Sequence, residues 1–278
     1  MRHRTRVQGK GRDNRLMDAT RTHLLRNRLL PVVSIAAVAI VWQLVAQFIV
    51  QNKNLLPSVT DVLGAFLVLL ESGRLASDFS TSLTHFGIGV GAALLLGIPL
   101  GMAMGWFRDM DTAANPIIEI LRPVPPLAWI PFAIIWFGLT PVAAGFIVFV
   151  GAFFPVLVNT YAGFKGVPRL FVEAARVLGC TSPGRLIRHV ALPAAMPSIA
   201  TGIRIGMGVG WMCLVAAEFF VGGRYGLGKQ LWVSYSLQQM SNVVVYMLLL
   251  GILGLAMDVV FRWYVDGKLL KWRTGEVA

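Results

Sequence analysis

Five charged residues, Glu119, Arg122, Arg204, Glu218 and Asp258, fall inside long apolar stretches of a 278-residue chain that is only 14% charged. An ionised group in hydrocarbon is costly, so such residues face a protein interior or a watery path and are candidates for function. Arg122 follows Glu119 by three residues and Asp258 precedes Arg262 by four, spacings that allow local ion pairs on one helical face. Arg122 and Arg204 also lie within about two turns of the inner ends of their segments, close enough to reach the interface. A sharper chemistry is that the two arginines make the inner half of a pathway positive, which favours a small anion over cations. Glu218 stands alone near the outer end of its segment, placed for a gate or for a buried hydrogen bond to a neighbouring helix.

Other motifs carry less. Gly223 to Gln230 has the glycine and lysine spacing of a phosphate-binding loop, but it lacks the Ser or Thr that would hold magnesium and follows no strand. The four histidines show neither metal nor triad spacing; His85 reads as an interfacial residue at the start of a span. Cys180 and Cys213 sit on different elements and read as packing residues, with no disulfide framework and no zinc site. No catalytic residue and no metal ligand is expected, and any nucleotide chemistry belongs to another polypeptide.

The elements that must position these residues follow from composition. Hydrophobic residues make up 56% of the chain and mean hydropathy is +0.69. A soluble domain carries about 25% charged residues, so lipid is the expected solvent. Residues 1–29 hold nine Lys or Arg against Asp13 and Asp18, and read as a basic tail along an anionic leaflet. Apolar runs predict six spans, at about Pro31–Val50, Leu83–Gly105, Ile117–Phe137, Ala144–Phe164, Ser198–Phe220 and Val243–Tyr264. A short amphipathic helix near Thr60–Leu70 follows Leu56-Pro57-Ser58 and suits the outer interface. Trp106–Ala114 reads as a polar turn and Val221–Asn242 as an outer loop.

Two spans have glycines every fourth residue, Gly87 and Gly91 then Gly97, Gly101 and Gly105, and later Gly202, Gly206 and Gly210. Such stripes let helix backbones approach closely. The third span contains Pro123, Pro125, Pro126 and Pro131, each removing a backbone donor. Broken backbone at membrane depth is tolerated inside protein or against a cavity, so Arg122, Pro123, Pro125 and Pro126 are candidates to line a pathway, with Arg204 and Glu218. With six spans and both ends inside, 21 of the 25 basic residues lie on the inner side, which orients both termini to the cytoplasm.

Between the fourth and fifth spans, Gly166 to Pro193 forms the longest non-apolar interruption after the tail. It reads as two short helices, each too short to cross. Pro168 opens the first and Gly179 closes it; Ser182-Pro183 opens the second and Leu192-Pro193 ends it. Leu170, Ala174, Val177 and Leu178 form one apolar stripe, with Arg169, Glu173 and Arg176 on another face. The knob is basic and helix-turn-helix shaped, but Leu186, Ile187 and Val190 fill much of its second helix, which favours docking to protein over nucleic acid.

Glu173-Ala174-Ala175, Gly179 and Leu192-Pro193 resemble the cytoplasmic "EAA" coupling loop of ABC importer permeases, with one extra residue between the glycine and Leu-Pro. Leu55-Leu56-Pro57-Ser58, the run Arg122 to Trp129, Trp136-Phe137-Gly138, Ala216-Ala217-Glu218 and Trp272-Arg273 resemble the nitrate/sulfonate/taurine/bicarbonate branch. The resemblance implies an all-α membrane protein with a permease domain over residues 30–273, a coupling loop at 166–193 and a short tail at 274–278. It implies a prokaryotic inner-membrane subunit, paired with a second copy of itself, two ATP-binding cassette subunits and an extracytoplasmic binding protein. Glu173, Ala174, Ala175, Gly179, Leu192 and Pro193 would couple to the ATPase. ATP and magnesium would bind the partner subunits, with no cofactor on this chain. The cargo would be nitrate, bicarbonate, taurine or an alkyl sulfonate; the alternatives are a neutral or aromatic solute such as a vitamin precursor, or a secondary transporter.

Overall fold

A computed structural model describes residues 30–221, 223–265 and 267. The basic tail at 1–29, Trp272-Arg273 and the stretch 274–278 lie outside the described residues.

Among the described residues, five helices are long and apolar enough to cross a membrane, or six if one bent pair is counted as a span. Helix α1 (Leu30–Val50) is almost wholly unburied and turns π-helical from Val45. It is tied to the next element where Trp42 Nε1 donates to the Pro57 carbonyl at 3.1 Å. Helix α2 (Val59–Glu71) then starts on a full capping box: Ser58 Oγ accepts from the Asp61 N–H and Asp61 accepts from the Ser58 N–H. The Lys53 ammonium and the Ser58 hydroxyl hold the Asp61 carboxyl below its ordinary range.

The centre is a stack of three helices, α3 (Arg74–Trp106), α6 (Pro141–Lys165) and α9 (Leu192–Phe220). A Cβ on Gly101 would sit 2.6 Å from the Leu157 carbonyl oxygen, and one on Gly206 would sit 2.9 Å from that of Ala152. Gly97, Gly105, Gly202 and Gly210 face α6 in the same way, as the four-residue spacing predicts. The first pair differs: Gly87 and Gly91 face open space, and it is Gly89 that meets Gly145 and Val148.

These contacts also fix direction. Gly89 lies against the start of α6 and Gly105 against its end, so α3 and α6 run parallel. Gly210 lies near Val148 and Gly163 near Ala195, so α9 runs antiparallel to α6. The chain between two parallel helices must return across the full thickness. That return is α4 (Arg108–Leu121), a 3-10 turn (Pro126–Trp129) and α5 (Ile130–Phe137), with an 89° bend between the two arms. The single span expected at Ile117–Phe137 is therefore broken where Pro123, Pro125 and Pro126 remove three of four backbone donors. The polar turn expected at Trp106–Ala114 is instead the first part of α4; only Phe107 is extended, and Asp109 and Asp111 sit in the helix's positive first turn. Lys165 reaches across to Asp111 at 3.0 Å and also bonds the Tyr161 hydroxyl, holding α4 to α6.

The expected outer loop contains a helix, α10 (Leu227–Ser236), before α11 (Met240–Tyr264). Helix α3 begins nine residues before the expected Leu83, and its added turns carry Asp78 and Ser82. Replacing Gly101 by Leu should destabilise the chain by about 1–3 kcal/mol through overpacking against α6. Gly91→Leu, in open space, should be near neutral. Thermal unfolding of both variants in detergent checks the pair.

Candidate functional site

The knob projects at the end where α6 stops and α9 starts. Its first helix, α7 (Arg169–Val177), follows Pro168, which is extended and precedes the helix instead of opening it. The helix ends in a Schellman motif: the Cys180 N–H bonds the Ala175 carbonyl at 2.9 Å and the Gly179 N–H bonds that of Arg176 at 3.0 Å. Gly179 has φ +88°, a conformation that a side chain disfavours. No residue of α7 is buried. Leu170 is 69% exposed, Val177 88% and Leu178 87%, so the apolar stripe has no cover among the described residues. Glu173 and Ala174 are exposed beside it and Ala175 is half-buried.

The second part of the knob is anchored. Helix α8 (Pro183–Leu186) passes through a π turn (Ile187–Ala191) directly into α9, one helical run of 38 residues, Pro183–Phe220. The expected stop at Leu192-Pro193 does not occur. Leu192 stays helical, and its N–H bonds the Ile187 carbonyl. This wider turn spares the helix the clash that Pro193 would cause in regular α geometry. Ser182 precedes α8 without a side-chain cap bond. Leu186 and Ala191 are buried, and Ala191 packs with Phe164, Ala195 and Ile199.

Arg122 and Arg204 are brought to different places. Arg122 lies in the break between α4 and α5, with Pro123 and Pro125 exposed beside it. With Pro126 it lines a cleft of about 330 Å³ against α6 and α9, whose other polar side chain is Asn159. Glu119 does not pair with Arg122; it accepts from Asn115 at 3.0 Å. Pro155 lines the same cleft, and Asn159 Nδ2 donates to the Pro155 carbonyl at 2.8 Å. Beside the break, Trp129, Trp136, Phe137 and Phe146 form a connected row of ring contacts. Arg204 instead bonds both Asp258 oxygens, at 2.7 and 3.3 Å, on the α11 side of α9, and Arg262 lies 2.9 Å from Asp258 Oδ2. The pairing of Asp258 with Arg262 is the one the four-residue spacing allows.

At the opposite end from the knob, Glu218 is wholly buried and is not alone. Ser82 Oγ donates to its carboxylate at 2.8 Å, His85 Nδ1 lies 2.9 Å away and the Gly228 N–H donates at 2.8 Å. Ser82 Oγ accepts the Leu227 N–H, while Asp78 accepts from the Gly226 N–H and the Tyr246 hydroxyl. His85 is therefore a buried partner, 2% exposed, not an interfacial residue. The glycine-rich loop that resembles a phosphate cradle gives its N–H groups to two carboxylates of its own chain, at the positive end of α10. Gly226 has φ +133°, and a Cβ there would lie 2.9 Å from the Glu218 carboxyl carbon. Sequence reading missed Asp78, Ser82 and Asn159. A weak signal for the first two was present: Asp78, Ser82 and His85 fall at i, i+4 and i+7 and so share one helical face, among other polar residues in the first turns of α3.

Removing the Glu218 carboxylate leaves several buried donors unpaired, each costing about 1–3 kcal/mol. Glu218→Ala should thus lower thermal stability sharply in detergent, Gly226→Ala should also lower it, and Glu218→Gln, which keeps one acceptor oxygen, should recover part of the loss.

Residues 93–267 match the family model described as binding-protein-dependent transport system inner membrane component. The chain is 41% identical over 87% of its length to a Methanocaldococcus jannaschii protein named as an ABC transporter permease, covering 91% of that protein. It is 35% identical to the nitrate import permease protein NrtB of Synechocystis, over 82% of this chain and 84% of that one. It is also 35% identical to the bicarbonate transport system permease protein CmpB of Synechococcus elongatus, over 66% and 65%. In fold it resembles a chain of the inward-facing MetNI methionine ABC transporter, with a TM-score of 0.53 and 21% identity over 68% of this chain and 94% of that one. Subunits of this kind are multi-pass membrane proteins and not themselves enzymes. The chain belongs to the binding-protein-dependent transport system inner membrane component family and is a permease subunit of an ABC importer.

Proposed function

We propose that this permease works as a homodimer that carries a small anion into the cytoplasm, driven by two ATP-binding cassette subunits and supplied by an extracytoplasmic binding protein. ATP and magnesium bind the partner subunits, and this chain binds no cofactor. The knob end faces the cytoplasm, with both termini on that side. The basic residues concentrated toward that end support this orientation.

The observation that carries the mechanism is the bare apolar stripe of α7 set on a helical run continuous with a span. A stripe of Leu170, Val177 and Leu178 left in water is a docking surface, and α7 in the ATPase cleft covers it. Glu173, Ala174 and Ala175 lie on that docking helix, Gly179 fixes the angle to α8, and Leu192 and Pro193 join α8 to α9. Motion of the ATPases pushes α7, and the stiff run from Pro183 to Phe220 passes it to the membrane.

The anion reading rests on Arg122. It is exposed in the cleft, and among the described residues it has no ion pair or hydrogen bond. An unpaired guanidinium beside a break at membrane depth favours a negatively charged cargo and disfavours cations. Nitrate, bicarbonate, taurine and alkyl sulfonates all offer oxyanion groups that a guanidinium can hold. The aromatic row next to the cleft supports a second reading, a neutral aromatic solute, through stacking on Trp129 and Trp136.

The test is uptake and ATP hydrolysis by the full complex in liposomes, scanned over nitrate, bicarbonate, taurine, an alkyl sulfonate and a neutral vitamin precursor. One anion should stimulate hydrolysis only when the binding protein is present. Arg122→Gln should lower its uptake about tenfold, the equivalent of ~1.4 kcal/mol, with the complex still assembled. Stimulation by the neutral solute alone, or unchanged uptake in Arg122→Gln, would overturn the anion reading.

A further inference from the structure

Asn159 is the second polar side chain of the Arg122 cleft, and its bonding decides which of its atoms is left for a cargo. A backbone carbonyl only accepts, so the bond to Pro155 must come from Nδ2, and the amide oxygen remains for another donor. The side chain is also held from α9. A Cβ on Gly202 would lie 2.7 Å from Asn159 Cβ and 3.1 Å from the Pro155 carbonyl oxygen, so α9 presses on the same pair that the hydrogen bond joins. Asn159 Oδ1 has no partner among the described residues, yet it is not one of the sealed, unpartnered atoms, which are Asp111 Oδ1 and Trp129 Nε1. It is an open acceptor on a residue that lines the cleft. The remaining side chains of that wall, such as Val124, Val150, Phe154 and Ile205, are apolar.

A cation and a held acceptor in one apolar cleft match a cargo with two different ends. We infer that the cleft selects, among small oxyanions, those that carry a hydrogen-bond donor of their own, and that Asn159 Oδ1 is the atom that reads the donor. The inference rests on the anion reading of the same cleft. Arg122 takes the oxyanion oxygens, and Asn159 Oδ1 accepts the O–H of bicarbonate or an ammonium N–H of taurine. Nitrate and a simple alkyl sulfonate have only acceptor oxygens, so they strip water from Oδ1 and return nothing to it. A site that bonds a substrate's O–H or N–H rejects the analogue lacking it, because its own polar group is then left unpaired. The guanidinium alone cannot make this distinction, since all four anions offer it the same kind of oxygen.

The experiment measures uptake by the full complex in liposomes for two matched pairs: taurine against ethanesulfonate, which differ by the ammonium group, and bicarbonate against nitrate, which share a planar oxyanion. The unaltered chain and Asn159→Leu are compared with the same binding protein, whose own preference cancels between them. Uptake of the donor-bearing anion should fall about tenfold in Asn159→Leu, the scale of one lost hydrogen bond to a charged or strongly polar group. Uptake of its donor-free partner should hold. Unfolding temperatures check that the variant folds; Asn159→Ala, which cannot overpack against Gly202, gives the same comparison if the leucine does not. The pair that responds tells bicarbonate from taurine. A preference of the unaltered complex for nitrate or ethanesulfonate, unchanged uptake in both Asn159 variants, or an equal loss for both members of a pair would overturn the role of Asn159 and leave the anion reading standing. Failure of the anion reading shows separately, as unchanged uptake in Arg122→Gln.

Discussion

The approach of three backbones, α3, α6 and α9, to within the distance that a single Cβ would occupy is the constraint on which the rest of this molecule depends. Lipid gives helices no hydrophobic reason to associate, so contact must come from close packing. Gly97, Gly101 and Gly105 on one side of α6 and Gly202, Gly206 and Gly210 on the other supply it. Once these helices are fixed, the two ends of the stack acquire their separate roles. At one end the close pair α6 and α9 holds the base of the knob; at the other, α3 and α9 bring Ser82, His85 and Glu218 within hydrogen-bond distance across more than a hundred residues of sequence.

The two ends differ in what they leave unsatisfied. The Glu218 cluster is closed: its carboxylates receive the N–H groups of the Gly226–Gly228 turn, and α10 is locked onto the stack. The knob is open, since its apolar stripe has nothing to cover it among the described residues. A helical run of 38 residues connects the two. Under the proposed coupling, a push at the knob would be delivered to the closed Glu218 end, and the break at Arg122 to Pro125 is where the backbone of the return path between α4 and α5 leaves helical geometry.

Much of this was legible in the chain itself. The positions of the long helices, the glycine stripe of α9, the left-handed Gly179 and the apolar face of α7 follow from spacing alone. The 89° bend was legible in kind, from Pro123 and Pro125, but not in size, because a lost donor says where a helix yields and not which way it turns. The Glu218 cluster was legible only in part: Asp78, Ser82 and His85 share one helical face by spacing, but their pairing with distant groups was not legible. Its partners come from α3, α10 and α11, and pairing at that separation leaves no local period. Asp78 and Ser82 were hidden because hydropathy places the start of α3 at Leu83, whereas burial of polar groups against Glu218 extends the helix outward. Leu192-Pro193 misled in the opposite sense: the local rule ends a helix before proline, and the π turn at Ile187–Ala191 evades it.

The central claim is that the α7–α8 knob transmits ATPase motion to the membrane through a fixed angle at Gly179. The most direct measurement compares ATP hydrolysis with uptake in the reconstituted complex for the unaltered chain and for Gly179→Leu. The account predicts that the variant, strained at φ +88°, still assembles and hydrolyses ATP but loses uptake. Hydrolysis and uptake that stay in their original ratio would contradict it.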